Sequence, residues 1–170
     1  MKFINEIERM FPLLIMLYIF YKAIEYGDWN LLGAYILNNM SNHVLKEYLF
    51  KPIMGDKSFF LLGKGTRPLG AKNCKIFSDG TISKSYGMPS GHAQSISFFL
   101  VNELTGDKDY VYKIILSIVS VFMIYSRVKL GCHTFQQVIV GSIMGIIAFW
   151  IYDFYNKDSM NLLRHKDVTI

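Results

Sequence analysis

Five apolar stretches, separated by short polar turns and one long Gly-, Lys- and Ser-rich segment, limit this chain to very few architectures. They cover roughly 10–24, 29–50, 92–104, 110–130 and 133–155. Each is long enough for a helix, but none is a clean run of the ~20 apolar residues that a bilayer span requires. The first and third are short, and the second carries Asn38, Asn39, Asn42 and His43. One reading is therefore a soluble bundle of unusually apolar helices. The preferred reading is membrane insertion, because aromatic residues cluster near segment ends (Trp29, Tyr48, Tyr110, Tyr112, Trp150, Tyr152, Tyr155), as in interfacial belts. The last segment also holds Gly141 and Gly145 in the GxxxG spacing that suits close helix packing in lipid. The expected fold is all-α, an integral membrane bundle of about five transmembrane helices, multi-pass, with its active site at one membrane face.

Composition agrees with a lipid environment: 52% of the 170 residues are hydrophobic, 15% aromatic and only 18% charged. The net charge of +5 is not gathered into basic blocks with interleaved aromatics, which argues against nucleic acid as a partner. Two cysteines, Cys74 and Cys132, are too few for a disulfide framework and lack zinc-type spacing, so their pairing stays open. Lys2 and Arg9 precede the first apolar run, but Glu6 and Glu8 spoil a signal-peptide n-region, so an uncleaved first span is expected. The domain is expected to occupy 1–155, with a non-helical loop at 51–89 and a polar, solvated tail at 156–170.

Alternating the spans across a bilayer gathers the ends of segments two and four and the starts of three and five on one side. The residues suited to anion chemistry fall there. In the run YGMPSGHAQ, Ser90 stands where it can cap a helix whose first turn holds Gly91 and His92. Free backbone N–H groups and an imidazole then face one small volume, a pocket for a phosphate-like anion. Downstream, Arg127 ends one helix and His133 begins the next, so a short return through Gly131 brings guanidinium and imidazole together. Gln137 lies four residues after His133 on the same helical face, placed for its amide oxygen to accept the ring N–H. Upstream, Lys46 closes the second segment, and Arg67 with Pro68 lies among glycines in GKGTRPLG, where an Arg can reach a phosphate bidentately. His43 and His165 have no partners in these patterns and read as structural or surface residues. Lys64 reads as a solvated loop charge.

Together the three pieces resemble the signature motifs of the type-2 phosphatidic acid phosphatase family, a relative of bacterial acid phosphatases and vanadium haloperoxidases. PSGH matches completely. The third motif matches at Ser126, Arg127 and His133 but has Gln137 where most members have Asp. The first motif is disrupted: Lys46 is followed after six residues by Ile53 and Met54, and the Arg-Pro pair comes only at Arg67 and Pro68, as if a stretch were inserted. Lys51 and Lys64 are alternatives to Lys46. GMPS with Gln94, and HTFQQV, are similar to dolichyl-diphosphatases, which also tend to lack the Asp. The resemblance covers about 42–145 and does not need the first span.

The resemblance implies a membrane phosphatase for a lipid phosphate or diphosphate, a polyisoprenyl diphosphate ahead of phosphatidate or lysophosphatidate. It implies His133 as nucleophile forming a phosphohistidine, and His92 as general acid and then base. Arg67, Arg127, Lys46, Ser90 and Gly91 would hold phosphate oxygens, with no metal and no cofactor. The competing readings are a haloperoxidase, made improbable by so small a chain, and a membrane protein that binds a lipid head group without turning it over. The membrane concerned, the orientation and the oligomeric state are left open.

Overall fold

Two helix starts in this chain are set by aspartate caps, and a glycine turn ends the first helix. In the computed structural model, residues 2–71, 74 and 81–167 are described, with side chains at 6–71, 74 and 81–157. Helix α1 runs Lys2–Tyr26. It ends at Gly27, whose φ of 74° suits only glycine well. Asp28 then caps α2, Trp29–Val44, by accepting from Leu31 N at 3.2 Å. A six-residue π-helix, Leu45–Phe50, and a single turn α3, Lys51–Met54, continue the same rod. After it come two two-residue strands, β1 Ser58–Phe59 and β2 Gly63–Lys64, paired antiparallel. Helix α4 spans Gly91–Thr105. Asp109 caps α5, Tyr110–Lys129, through Tyr112 N at 2.8 Å. Helix α6 spans Phe135–Asp167.

All five expected apolar segments are thus helical. The expected loop and tail differ from the sequence reading. The region 51–89 is not wholly irregular, since it opens with α3 and contains the small hairpin. The stretch 156–170 does not begin as a separate tail, because α6 continues to Asp167. The side chain of His165 lies outside the described residues.

Helix α4 is the axis of the bundle, packing against α1, α2, α5 and α6. Its sequence explains this: Ala93, Ile96, Phe98 and Phe99 are buried on several faces, as expected for a helix surrounded by others. Phe98 meets Tyr35 of α2 and Phe149 of α6 edge-on, with centroids 6.0 Å apart in each pair, and Ile15 and Ile19 of α1 close the cluster. Gly141 and Gly145 let α6 lie directly on α4. A Cβ built on Gly145 would stand 2.1 Å from the Gln94 carbonyl oxygen, and one on Gly141 would stand 2.4 Å from that of Ser90.

The outer faces are apolar in turn. Ile114, Ile118, Val121, Phe122 and Tyr125 of α5, and Ile143, Ile147, Trp150 and Ile151 of α6, are exposed. Among the described residues two helices, Tyr110–Lys129 and Phe135–Lys157, are long and apolar enough to cross a membrane.

Candidate active site

The end of the bundle where α2 and α5 finish and α4 and α6 begin holds the three sequence motifs within hydrogen-bonding reach of one another. The α5–α6 turn is tight, with Gly131 at φ 68°. It folds the chain back so that Cys132 N and His133 N both donate to the Arg127 carbonyl, at 3.0 and 3.2 Å. His133 is buried ahead of α6, and its Nδ1–H donates to Gln137 Oε1 at 3.0 Å, which leaves Nε2 unprotonated, an acceptor. That nitrogen faces Arg67, whose Nη1 lies 3.3 Å away. Burial first, and then the charges of Arg67 and Lys46, hold the His133 pKa well below the ordinary histidine value.

Arg67 is itself fixed at every nitrogen. Nε donates to Ser85 O at 3.1 Å, Nη2 to Ser85 Oγ at 3.0 Å and Nη1 to Cys132 O at 2.7 Å. The displaced Arg-Pro pair therefore reaches the histidine despite its sequence distance from Lys46. A disulfide between Cys74 and Cys132 ties the same loop to the residue before His133. The pairing that the sequence left open is present.

Gln137 does more than the expected orienting of the ring. Its Nε2 donates to Thr66 O at 2.6 Å and to Lys64 O at 3.0 Å, so it fastens the Arg67 loop to α6. A carboxylate there has no proton to donate in these contacts. The amide thus fits a loop that presents carbonyls.

Ser90 occupies the N-cap position of α4 but makes no capping bond, contrary to expectation. Its Oγ is buried without a partner, and so is Arg127 Nη1. Arg127 is fully buried, its Nε and Nη2 held by Ser126 Oγ at 3.2 and 2.9 Å. Buried donors without acceptors are costly to leave unfilled. With the first N–H groups of α4 at Gly91 and His92, they form a donor set suited to an oxyanion. His92 Nε2 lies 3.3 Å from the Arg9 carbonyl, so that nitrogen carries the proton and Nδ1 is the free one. Lys46, half-buried in the π-helix, is close enough for its charge to bear on both histidines. Of the alternatives to it, Lys51 lines a cavity with Arg67 but pairs with Glu47 at 2.7 Å, and Lys64 has an exposed side chain. His43 is exposed as well.

Two sets of site residues escaped the sequence reading. Asn38 and Asn42, an i, i+4 pair on α2, turn inward to Gln94. Asn42 Nδ2 donates to Gln94 Oε1 at 2.8 Å and Pro89 O at 3.3 Å, while Gln94 Nε2 donates to Asn38 O at 2.8 Å and Ser41 Oγ at 3.0 Å. The network holds the PSGH turn from behind. Polar side chains within an apolar helix, spaced to share one face, were the available signal. The second set, Glu8 and Arg9 of α1, gave no such pattern.

An unprotonated imidazole nitrogen set against arginines and buried hydrogen-bond donors, at the end of a helical bundle, is an arrangement suited to a phosphate-like anion. The chain belongs to the PAP2 superfamily, whose family model matches residues 28–159. It is 30% identical over 131 residues to the dolichyldiphosphatase of Saccharomyces cerevisiae, an alignment covering 70% of this chain and 47% of that protein. The chain spans about half the length of this curated relative. No solved structure matches it.

Proposed function

We propose that this protein is an integral membrane, multi-pass phosphatase that hydrolyses a lipid phosphate or diphosphate, with a polyisoprenyl diphosphate as the favoured class, through a phosphohistidine. The observation that carries the reading is the state of His133: Nδ1–H held by Gln137, and Nε2 unprotonated and facing the Arg67 guanidinium. Membership of the PAP2 superfamily and the likeness to a dolichyldiphosphatase favour a lipid substrate.

His133 Nε2 attacks phosphorus, forming the N–P bond as the P–O bond to the lipid breaks. His92, in its imidazolium form, keeps Nε2–H on the Arg9 carbonyl and gives its Nδ1 proton to the departing oxygen. Arg67, Arg127, Lys46, Ser90 Oγ and the N–H groups at Gly91 hold the equatorial oxygens, where charge spreads in the transition state. Water then attacks phosphorus, His92 takes its proton, the N–P bond breaks and phosphate leaves. The positive charge comes from side chains, so no metal enters the scheme.

The test is phosphate release by the purified, detergent-solubilised protein from prenyl diphosphate, prenyl monophosphate, phosphatidate and lysophosphatidate, with chelator present. Release from the diphosphate, inhibited by vanadate as a mimic of five-coordinate phosphorus, is expected. Activity lost in chelator and restored by magnesium would overturn the histidine scheme. Binding without release from any of the lipids would leave a head-group-binding protein. The same panel decides between diphosphate and monoester.

A further inference from the structure

Helix α1 lies wholly outside the residues matched by the family model, yet it places a carboxylate inside the anion site. Glu8 is 3% exposed, and its Oε2 stands 3.9 Å from Nη2 of Arg127. A negative charge beside a phosphate-binding guanidinium opposes the binding it adjoins, so its presence needs a reason.

Orientation is not that reason. At 3.9 Å the pair shares no hydrogen bond, and Glu8 Oε2 has no hydrogen-bond partner. Arg127 is aimed by Ser126 Oγ, which is anchored in turn on the Met123 carbonyl at 2.7 Å. What Glu8 supplies is charge. A fully buried guanidinium without a counter-ion is strongly disfavoured, and among the described residues Glu8 is the carboxylate that bears on Arg127. The remaining charged or titratable groups bearing on the cluster are Arg9 of α1, Lys46 of the π-helix, Arg67 of the loop, His92 of α4 and His133 of the turn. The location of Glu8 is built in. Ile15 and Ile19 seat α1 in the core, Pro12 breaks the helix ladder one turn after Glu8, and the Arg9 carbonyl meets His92.

We propose that Glu8 is the resident counter-charge of Arg127, neutralising it between turnovers and weakening the hold on phosphate so that the product leaves. This rests on the phosphatase reading. Glu8 is a positioning residue in the electrostatic sense, acting on the phosphoryl group through Arg127.

The experiment compares wild type with Glu8→Gln, which keeps the shape and removes the charge. Affinities for orthophosphate and vanadate are measured by calorimetry on the full chain in detergent at fixed ionic strength, together with kcat and KM on prenyl diphosphate. Glu8→Gln should bind both anions roughly tenfold more tightly, with KM and kcat falling together as product release slows. A merely structural role would weaken binding instead, so unchanged or weaker anion affinity in a variant with wild-type elution overturns the proposal. Should Glu8→Gln fail to give monodisperse protein, Glu8→Asp withdraws the carboxylate by one methylene and should tighten binding by a smaller factor; no tightening there overturns it equally. Wild-type protein that binds neither anion and hydrolyses none of the lipids overturns the phosphatase reading and this proposal with it.

Discussion

Gln137 carries opposite duties on its two amide atoms, and each makes the other useful. Its oxygen fixes the His133 tautomer, while its nitrogen fixes the carbonyls of Lys64 and Thr66, and hence the loop that delivers Arg67. Restoring the Asp that most of the family resembled in its motifs would therefore harm this protein. Gln137→Asp keeps an acceptor for the ring, but it sets a carboxylate against two carbonyl oxygens and releases the loop. We expect kcat to fall roughly 10²-fold, the scale of a misplaced reacting group, with the fold retained by circular dichroism. Activity at or above wild type would show that loop anchoring is not its role.

The environment of His133 also sets a pH dependence. Its folded pKa lies well below the ordinary value, chiefly through burial and then through Arg67 and Lys46; in the proposed scheme the deprotonated ring is the nucleophile. The acid limb of kcat/KM due to this group should consequently fall below about pH 6.5. Arg67→Gln should move that limb upward, because it removes a cation that disfavours protonation. The unfolded chain binds the proton more readily than the folded one. This histidine's contribution to stability is thus present above about pH 6.5 and declines as pH falls from there toward the lowered folded pKa. The sequence revealed His92, His133 and Gln137 because a tight turn and an i, i+4 spacing are local geometry. Glu8 and the Asn38–Asn42–Gln94 network were hidden because their meaning depends on which helix faces which, and spacing along one helix does not record that.

The approach of α6 to α4 decides how the two histidine motifs meet. Ser90 N donates to the Gln137 carbonyl at 3.0 Å, a backbone contact between helix ends that only glycine at 141 and 145 permits. Alanine shows the point by opposite signs. At Gly33 of α2 nothing lies within 4 Å of a new Cβ, and Gly33→Ala should stabilise by up to about 1 kcal/mol through helix propensity. Gly145→Ala drives the methyl into the Gln94 carbonyl and should destabilise by about 1–3 kcal/mol, with activity falling as the motifs separate. Thermal unfolding in detergent, followed alongside turnover, reads both. The five helices and the GxxxG contact were legible because apolar content and glycine spacing persist over many residues. The hairpin of β1 and β2 was not, since strands of two residues carry no period. The helical run beyond residue 155 is polar, and composition there could not announce it.

Taken end to end, the fold presents apolar side chains outward along α5 and α6 and gathers its charged site at one end of the bundle. The Cys74–Cys132 disulfide belongs to that end. Cys132 adjoins His133, and its carbonyl receives Arg67. Reduction should loosen the loop and lower turnover several-fold without dissolving the bundle, an effect that Cys74→Ser should reproduce and that reductant should not deepen in that variant. Because such bonds persist in oxidising surroundings, the cross-link also acts as a compass. In sealed vesicles of known sidedness, a membrane-impermeant maleimide should label Cys74 and Cys132 only after reduction, and only from the face opposite the cytosol. The basic loop would then sit against the usual positive-inside bias, retained there because its cations serve the site. The phosphate set free would emerge outside the cytosolic pool, and the cell would have to carry it back across the membrane before using it again.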